Sequence, residues 1–314
     1  MPDIEMRAVY AETLIALAER DPRIVLLEAD LMRASGTGVF QKRFPQRTFN
    51  VGVAEANMVS IAAGLAAEGK IPFADTFACF AGRRDYDQFF ISANYARLSV
   101  HLVGTDPGIT ATYNGGTHMP FEDMGNMRHI PGLTVFEPSD PVSLRALVAR
   151  SAELDGCSYM RLHRRPAPAL YPTGEEFELG KGKVLEDGRD VAIFAIGALM
   201  VHEALAARTL LAQDGVAAAV IDLHTLKPID AELVVRFARK TGAVVTCENH
   251  QVRGGLGSAV AEVLGEVFPC RMKRIGVQDE FGEVGDLPYL QKRYGLTASD
   301  IRDTIREFLS RNGN

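Results

Sequence analysis

The sequence has no excess of positive charge, no long apolar run and no cluster of cysteines or histidines, and each absence removes a class of function. The formal net charge is −6 and the isoelectric point lies near 5.7. That balance disfavours nucleic acid or an anionic membrane surface as the main partner. No uninterrupted apolar stretch reaches the roughly 20 residues that span a bilayer. The opening MPDIEMRAVYAE carries acids and lacks the apolar core of a secretory signal. The four cysteines, Cys79, Cys157, Cys247 and Cys270, are far apart and form no CxxC pair. They read as reduced thiols of a cytoplasmic protein and not as a metal site. The seven histidines show no HExxH or other paired ligand spacing. There is no GxxxxGK[ST], so a nucleoside triphosphatase of the P-loop type is excluded. No internal repeat and no low-complexity segment is present.

What remains is an ordinary globular composition, 47% hydrophobic and 24% charged, over 314 residues, which is comfortable for two domains. The chain is organised around Asn50–Gly69, NVGVAEANMVSIAAGLAAEG. Apolar Val51–Ala54 leads into one carboxylate, Glu55. A helical pattern follows, with Met58, Ile61, Ala62, Leu65 and Ala66 on one face. Glu55 therefore stands where an apolar segment enters a helix. It is either a first-turn acid that favours the helix dipole or a buried acid that exchanges a proton with a ligand.

Around this stretch, strand and helix patterns alternate. The spacing predicts a helix over Met6–Glu19, strands over Arg23–Glu28 and Ile71–Phe80, a helix over Arg84–Arg97 and a strand over Leu98–Gly104. Thr105–Pro120, TDPGITATYNGGTHMP, breaks the pattern as a long Gly-, Asn- and Thr-rich loop, and loops of that length in a domain are usually functional or disordered. Alternation resumes over 133–163. Arg164–Gly182, with three prolines and three glycines, reads as an interdomain connection, and a second alternating region runs from Val191 to Leu309. The expected fold class is α/β: two open, mainly parallel sheets covered by helices, with domains over 1–165 and 183–314 and a linker over 166–182.

Parallel α/β sheets place ligands beyond the carboxyl ends of their strands. In the first half those ends carry Asp30, Glu55, Phe77, Phe80, Asp106 and, across the long loop, His118. Acids, stackable rings and one histidine suit a flat heteroaromatic ligand better than a metal. Taken singly, Phe77 and Phe80 read first as core aromatics and His118 first as a loop histidine bonded to backbone. In the second half, GGLGSAVAEVLG (Gly254–Gly265) and AIGALMVHEAL (Ala195–Leu205) read as tight strand-to-helix turns; neither completes a dinucleotide fingerprint.

VGVAEANMVSIAAGLA, TFACF, the loop ending GGTHMP, LTVFEPSD and TCENHQVRGGLGSAVAEVL, in this order, resemble the transketolase family over nearly the whole chain. The resemblance implies a pyrimidine-binding domain followed by the family's C-terminal domain. It implies that Glu55 is the glutamate that bonds the aminopyrimidine of thiamine diphosphate, that Phe77 and Phe80 stack on that ring, and that Asp30 and Arg83 line the cofactor pocket. His118 falls on the histidine that contacts substrate hydroxyls. Arg7 and Arg161 fall on two arginines that hold a sugar phosphate, a task suited to guanidinium forks, with Asn114 and Ser35 as further substrate contacts. The implied reaction is transfer of a two-carbon ketol unit from a ketose to an aldose, with the carbanion chemistry carried by the cofactor.

Several positions depart from the family pattern. The start of the long loop, usually Thr-His, is Thr105-Asp106 here, and a carboxylate there repels a phosphate. Ala34 replaces a common serine, with Ser35 beside it. Asn114 stands for an aspartate, and Arg83 or Arg84 for a tyrosine. These departures argue against ordinary pentose-phosphate transfer and for a specialised sugar. The family's Gly-Asp-Gly signature for the diphosphate and its Mg2+ (or Ca2+) does not occur in the sequence. The expectation is a split enzyme. An N-terminal subunit would supply the diphosphate and metal domain, and the assembly would be an α2β2 heterotetramer. Other readings are half of a deoxyxylulose-phosphate-synthase-like enzyme, a 2-oxoacid dehydrogenase beta subunit, or a non-catalytic regulatory subunit. GGTHMPFED favours a transketolase over the dehydrogenase.

Overall fold

In the computed structural model, residues 4–310 are described; the outermost residues of the expected 1–165 and 183–314 spans lie outside the described residues. Twelve strands are found among them: β1 Ile24–Glu28, β2 Thr48–Asn50, β3 Ile71–Phe77, β4 His101–Thr105, β5 Thr134–Phe136, β6 Ser158–Leu162, β7 Lys183–Glu186, β8 Val191–Ala195, β9 Ala218–Asp222, β10 Thr225–Lys227, β11 Ala243–Gln251 and β12 Arg271–Val277. They form a seven-stranded sheet, β10-β5-β6-β4-β3-β1-β2, and a five-stranded sheet, β12-β11-β8-β9-β7. Pairing is parallel except for β10 against β5 and β7 against β9. Strands such as IVLLE, VAIFA and AAVID are buried along their whole length. That is the expected state of a parallel sheet with helices on both faces.

The helices bury one stripe each. Val9, Tyr10 and Leu14 of helix Met6–Arg20 share a cluster with Leu144, Leu147 and Val148 of helix Pro141–Ala152 on one face of the first sheet. Met58, Val59 and Ala62 of helix Glu55–Ala67 pack with Phe89 and Ala93 on the other face. That second face is continuous with the second sheet, because the same cluster includes Phe194, Ile221 and Val244. The structure departs from the expected two separate sheets here. Thr225–Lys227 follows the 166–182 connection in sequence, yet it adds an edge strand to the first sheet. Three residues without strong alternation carry no strand signal of their own. The connection is itself partly buried: Phe177 is in the core and the Tyr171 hydroxyl donates to Asp222 at 2.7 Å.

The halves also meet through charge. Arg161 on β6 has no exposed surface. It donates to Asp123 through Nε (2.7 Å) and Nη2 (2.9 Å), to Glu137 through Nη1 (3.0 Å), and to the Asn249 carbonyl at 3.2 Å. Asn249 belongs to β11 of the second half. Its amide accepts from the Ile109 backbone at 3.0 Å and donates to the Pro107 carbonyl at 2.9 Å, so it grips the root of the long loop. Gly108 sits in left-handed backbone against it, and a Cβ there would fall 2.2 Å from the Asn249 side chain. Next in the chain, Glu248 accepts from the backbone of Leu256 (2.7 Å) and Gly257 (2.8 Å). The glycine-rich helix start is thus capped from within, as a turn and not as an open anion cradle. Replacing Arg161 by alanine strands two buried carboxylates and is expected to lower stability by about 3–5 kcal/mol. Chemical unfolding of the purified variant measures this; a change within experimental error would show that the carboxylates find other partners.

Candidate active site at the carboxyl end of the first sheet

The loops that leave the carboxyl ends of β1, β2, β3, β4 and β6 gather most of the expected residues. Glu55 is the first residue of its helix and is 3% exposed. The segment before it is itself half-exposed, with Val53 72% exposed, and the helix start leaves backbone N–H groups free of internal partners. Its Oε1 accepts from Arg84 Nη1 at 3.1 Å. The same guanidinium lies 4.0 Å above the Phe80 ring, a cation–π contact that fixes it over the site. Phe77 ends β3 and Phe80 lies in the short helical turn Ala78–Ala81 that follows, with ring centroids 5.9 Å apart. That turn lies tight against β4 because residue 104 is glycine; a Cβ there would sit 2.8 Å from Ala78 Cα. His118 closes the group, its ring 5.4 Å from Phe80 and 6.3 Å from Phe77, and its Nδ1 2.9 Å from the Thr117 hydroxyl. A half-buried slot results, with a carboxylate at one side, two phenyl faces and an imidazole at the other.

Asp85, one residue beyond Arg84, is fully buried, and neither carboxyl oxygen has a hydrogen-bond partner. Burial first, and then the Glu55 charge, push its pKa well above the usual carboxylate range. A second line of acids lies below the site. Glu28 and Asp75 are register neighbours on β1 and β3, both without exposed surface. Tyr10 donates to Asp75 at 2.7 Å, and the Ser35 and Thr37 hydroxyls both donate to Glu28 Oε1. These bonds hold the loop over 31–37, whose Ala34 carbonyl accepts from Arg7 at 3.0 Å.

Four expectations are corrected. Arg161 cannot reach a ligand, because β6 is buried on both faces and its guanidinium is consumed by Asp123, Glu137 and Asn249. The arginines at the site end are Arg164 and Arg165, just beyond the strand. Ser35 points inward to Glu28, at 2.6 Å, and is 2% exposed. Arg83 turns away to Glu122 and the Thr117 carbonyl, and Arg84 takes the place over Phe80. Asn114 lies exposed in a 3-10 stretch, Gly108–Asn114, away from the buried face of the loop. Arg7 does stand at this end, held by Glu5 and Ala34. Asp30 is exposed beyond β1 in left-handed backbone, its N–H donating to Asn50. Sequence reasoning also missed Glu5, Asp85 and Arg164. The signal for Arg164 was present: a parallel strand delivers side chains to a ligand only after it ends, and β6 ends at Leu162.

Comparison with known proteins decides the family. Residues 2–168 match the model of the transketolase pyrimidine-binding domain, and residues 180–301 that of the transketolase C-terminal domain. The chain belongs to the transketolase family. This transketolase chain is 52% identical to the 6-deoxy-6-sulfo-D-fructose transketolase subunit SqwH of Clostridium sp. (strain MSTE9), over 98% of its own length and 95% of the relative's. A solved split-gene transketolase, described as an inactive beta4 tetramer, superposes with a TM-score of 0.89 at 44% identity, covering 98% of each chain. The 1-deoxy-D-xylulose-5-phosphate synthase of Syntrophotalea carbinolica is 39% identical, but the match takes in only 48% of that longer protein. The transketolase chain is therefore a transferase subunit of the split kind, and its family implies thiamine diphosphate. Among the described residues no helix is long and apolar enough to cross a membrane.

The buried acids give the transketolase chain an inverted pH dependence. Burial pushes Glu28 up to about 7 against the opposing Ser35 and Thr37 hydroxyls, and likewise raises Glu137 and Asp222 to about 7 and Glu248 to about 8. An unfolded glutamate titrates near 4.3 and an unfolded histidine near 6.5. Burial lowers His163, His224 and His250 to about 4 and so offsets the acids at lower pH. It is between about pH 6.5 and 8 that the folded state holds more protons than the unfolded one. Stability is expected to fall as pH rises through that window, and Glu28→Gln to flatten the slope. Melting temperature against pH for both proteins tests this; a wild-type optimum above pH 8 would contradict it.

Proposed function

We propose that this chain is the C-terminal subunit of a two-chain, thiamine-diphosphate-dependent transketolase that moves a two-carbon ketol unit between an anionic ketose and an aldose. The observation that carries the reading is Glu55: a carboxylate 3% exposed, at a helix start, facing a slot walled by Phe77, Phe80 and His118. The slot fits an aminopyrimidine, since phenyl faces receive the flat ring and the acid meets a ring nitrogen. Thiamine diphosphate, when bound, would supply the carbon acid that ketol transfer requires, and Glu55, Phe77 and Phe80 would hold its aminopyrimidine. Glu55 shares a proton with the pyrimidine edge, and its exclusion from water strengthens that bond. Arg84 orients the carboxylate. Phe77 and Phe80 hold the ring against tilting. His118, at the rim, is placed to exchange a proton with a substrate hydroxyl. Asp30 lies at the outer edge, and Arg7 and Arg164 receive the anionic tail of the ketose.

The diphosphate and its divalent cation, Mg2+ or Ca2+, are assigned mainly to a partner subunit, because the Gly-Asp-Gly signature is missing from this sequence. The solved relative described as an inactive tetramer of one chain type supports a need for that partner, and an α2β2 assembly supplies complete sites.

Reconstitution tests the proposal. The chain is mixed with a diphosphate-domain transketolase subunit, thiamine diphosphate and Mg2+, and ketol transfer is followed over a panel of ketoses. Activity only in the mixture is expected, with Glu55→Gln lowering kcat by about 10²–10⁴ while leaving assembly intact. Turnover of 2-oxoacids and of no ketose would move the assignment to the dehydrogenase class. Full activity of Glu55→Gln would leave the chain a regulatory subunit.

A further inference from the structure

The charged groups near the sugar-tail end of the site leave a net charge of one unit. The segment over 5–7 runs beside 164–166: Met6 N–H donates to the Arg165 carbonyl and Arg7 N–H to the Arg164 carbonyl, both at 3.2 Å. Three guanidinium groups, Arg7, Arg164 and Arg165, all act on the carboxylate of Asp106. Two acids oppose them. Glu5 engages Arg7 at both oxygens, at 2.8 and 3.0 Å. Asp106 forms an ion pair with Arg164 Nε at 2.6 Å and is itself 2% exposed. Arg165 donates to a neutral oxygen, the Thr112 hydroxyl, at 2.8 Å. His163, next to Arg164, adds no charge, since burial pushes its pKa down to about 4. One unit of positive charge is left unbalanced.

We propose that Asp106 is a specificity-determining residue that sets the charge of the substrate tail, so that the site takes a singly charged anion such as a sulfonate in preference to a doubly charged phosphate monoester. The proposal rests on the transketolase reading above and deepens it. A phosphate monoester carries about −1.5 to −2 at pH 7. A sulfonate carries one negative charge throughout the range in which proteins fold. Both present three acceptor oxygens to guanidinium forks, so hydrogen-bond geometry alone discriminates them poorly. Charge does discriminate. The first negative unit is met by the unbalanced arginine. The second meets the Asp106 carboxylate in a place closed to solvent, where like charges repel most strongly. Burial already raises Asp106 to about 6 in spite of three arginines, so a second anion beside it is met only at the cost of protonating Asp106, about tenfold in affinity at pH 7. The backbone favours a short acid or amide here: Asp106 sits at φ 55°, in the left-handed region where aspartate and asparagine are tolerated. The 52%-identical relative carries a sulfonated ketose in its name, which agrees with this charge count.

The experiment compares donors that differ only in the tail. The reconstituted two-chain complex is assayed with 6-deoxy-6-sulfofructose and with fructose 6-phosphate. Asp106→Asn keeps the shape and the tolerance for left-handed backbone while removing the charge. Wild type is expected to favour the sulfonate in kcat/KM. The variant is expected to raise kcat/KM for the phosphate donor up to about tenfold at pH 7, chiefly through KM, with a much smaller change for the sulfonate. Glu5→Gln, at a half-buried and partly solvated position, is expected to act in the same direction and more weakly. It keeps the test open if Asp106→Asn fails to assemble. An active wild type whose donor ratio is unchanged in both variants would overturn the role of Asp106. A wild-type complex inactive on both ketoses would instead overturn the transketolase reading itself.

Discussion

A guanidinium buried without any exposed surface is the constraint on which this structure turns. Arg161 is tolerated in the core because Asp123, Glu137 and the Asn249 carbonyl surround it, and those partners come from both halves of the chain. Desolvating such a group is costly, and the cost is recovered only when every donor is met. The halves therefore have one satisfactory way of meeting. Asn249, held in that network, grips Pro107 and Ile109, and the long loop with Asp106 and His118 starts from this anchor. Electrostatics in the core thus determines where a solvent-facing loop lies.

Above this base the site separates into two parts of different chemistry. One wall is aromatic and holds one carboxylate side chain, Glu55, with Arg84 across it. The other is crowded with opposed charges, Glu5 and Asp106 against Arg7, Arg164 and Arg165. The aromatic wall serves a flat cofactor ring and tolerates little change. The charged wall is a balance of whole units, and one substitution moves it by a full charge. Substrate range can change there without touching the carboxylate that serves the cofactor.

Much of this was legible in the sequence. Apolar runs at 24–27, 191–196 and 218–221 read as buried strands of a parallel sheet, while the apolar entry to a helix at 51–55 left Glu55 as either a first-turn acid or a buried one. The glycine turn after β11 read correctly as structural, since Glu248 caps it. Side-chain direction was less legible. Arg161, Arg164 and Arg165 are three arginines in five residues, and only the end point of β6, which sequence patterns locate to within a few residues, tells core from pocket. Ser35 and Arg83 failed for the same reason: neighbours in sequence, here Ala34 and Arg84, point to opposite sides. The strand at Thr225–Lys227 was invisible because its partner, β5, lies some ninety residues away in the chain.

That strand has a consequence for motion. Two domains joined by a flexible connection commonly open and close about a hinge. Here β10 leaves the second half and is hydrogen-bonded into the sheet of the first. Any swing of one half against the other would have to tear a strand from a sheet edge as well as unseat Arg161. The chain therefore moves as one body, and access to the slot beside Glu55 has to be governed by its loops and by whatever lies across the opening from another subunit.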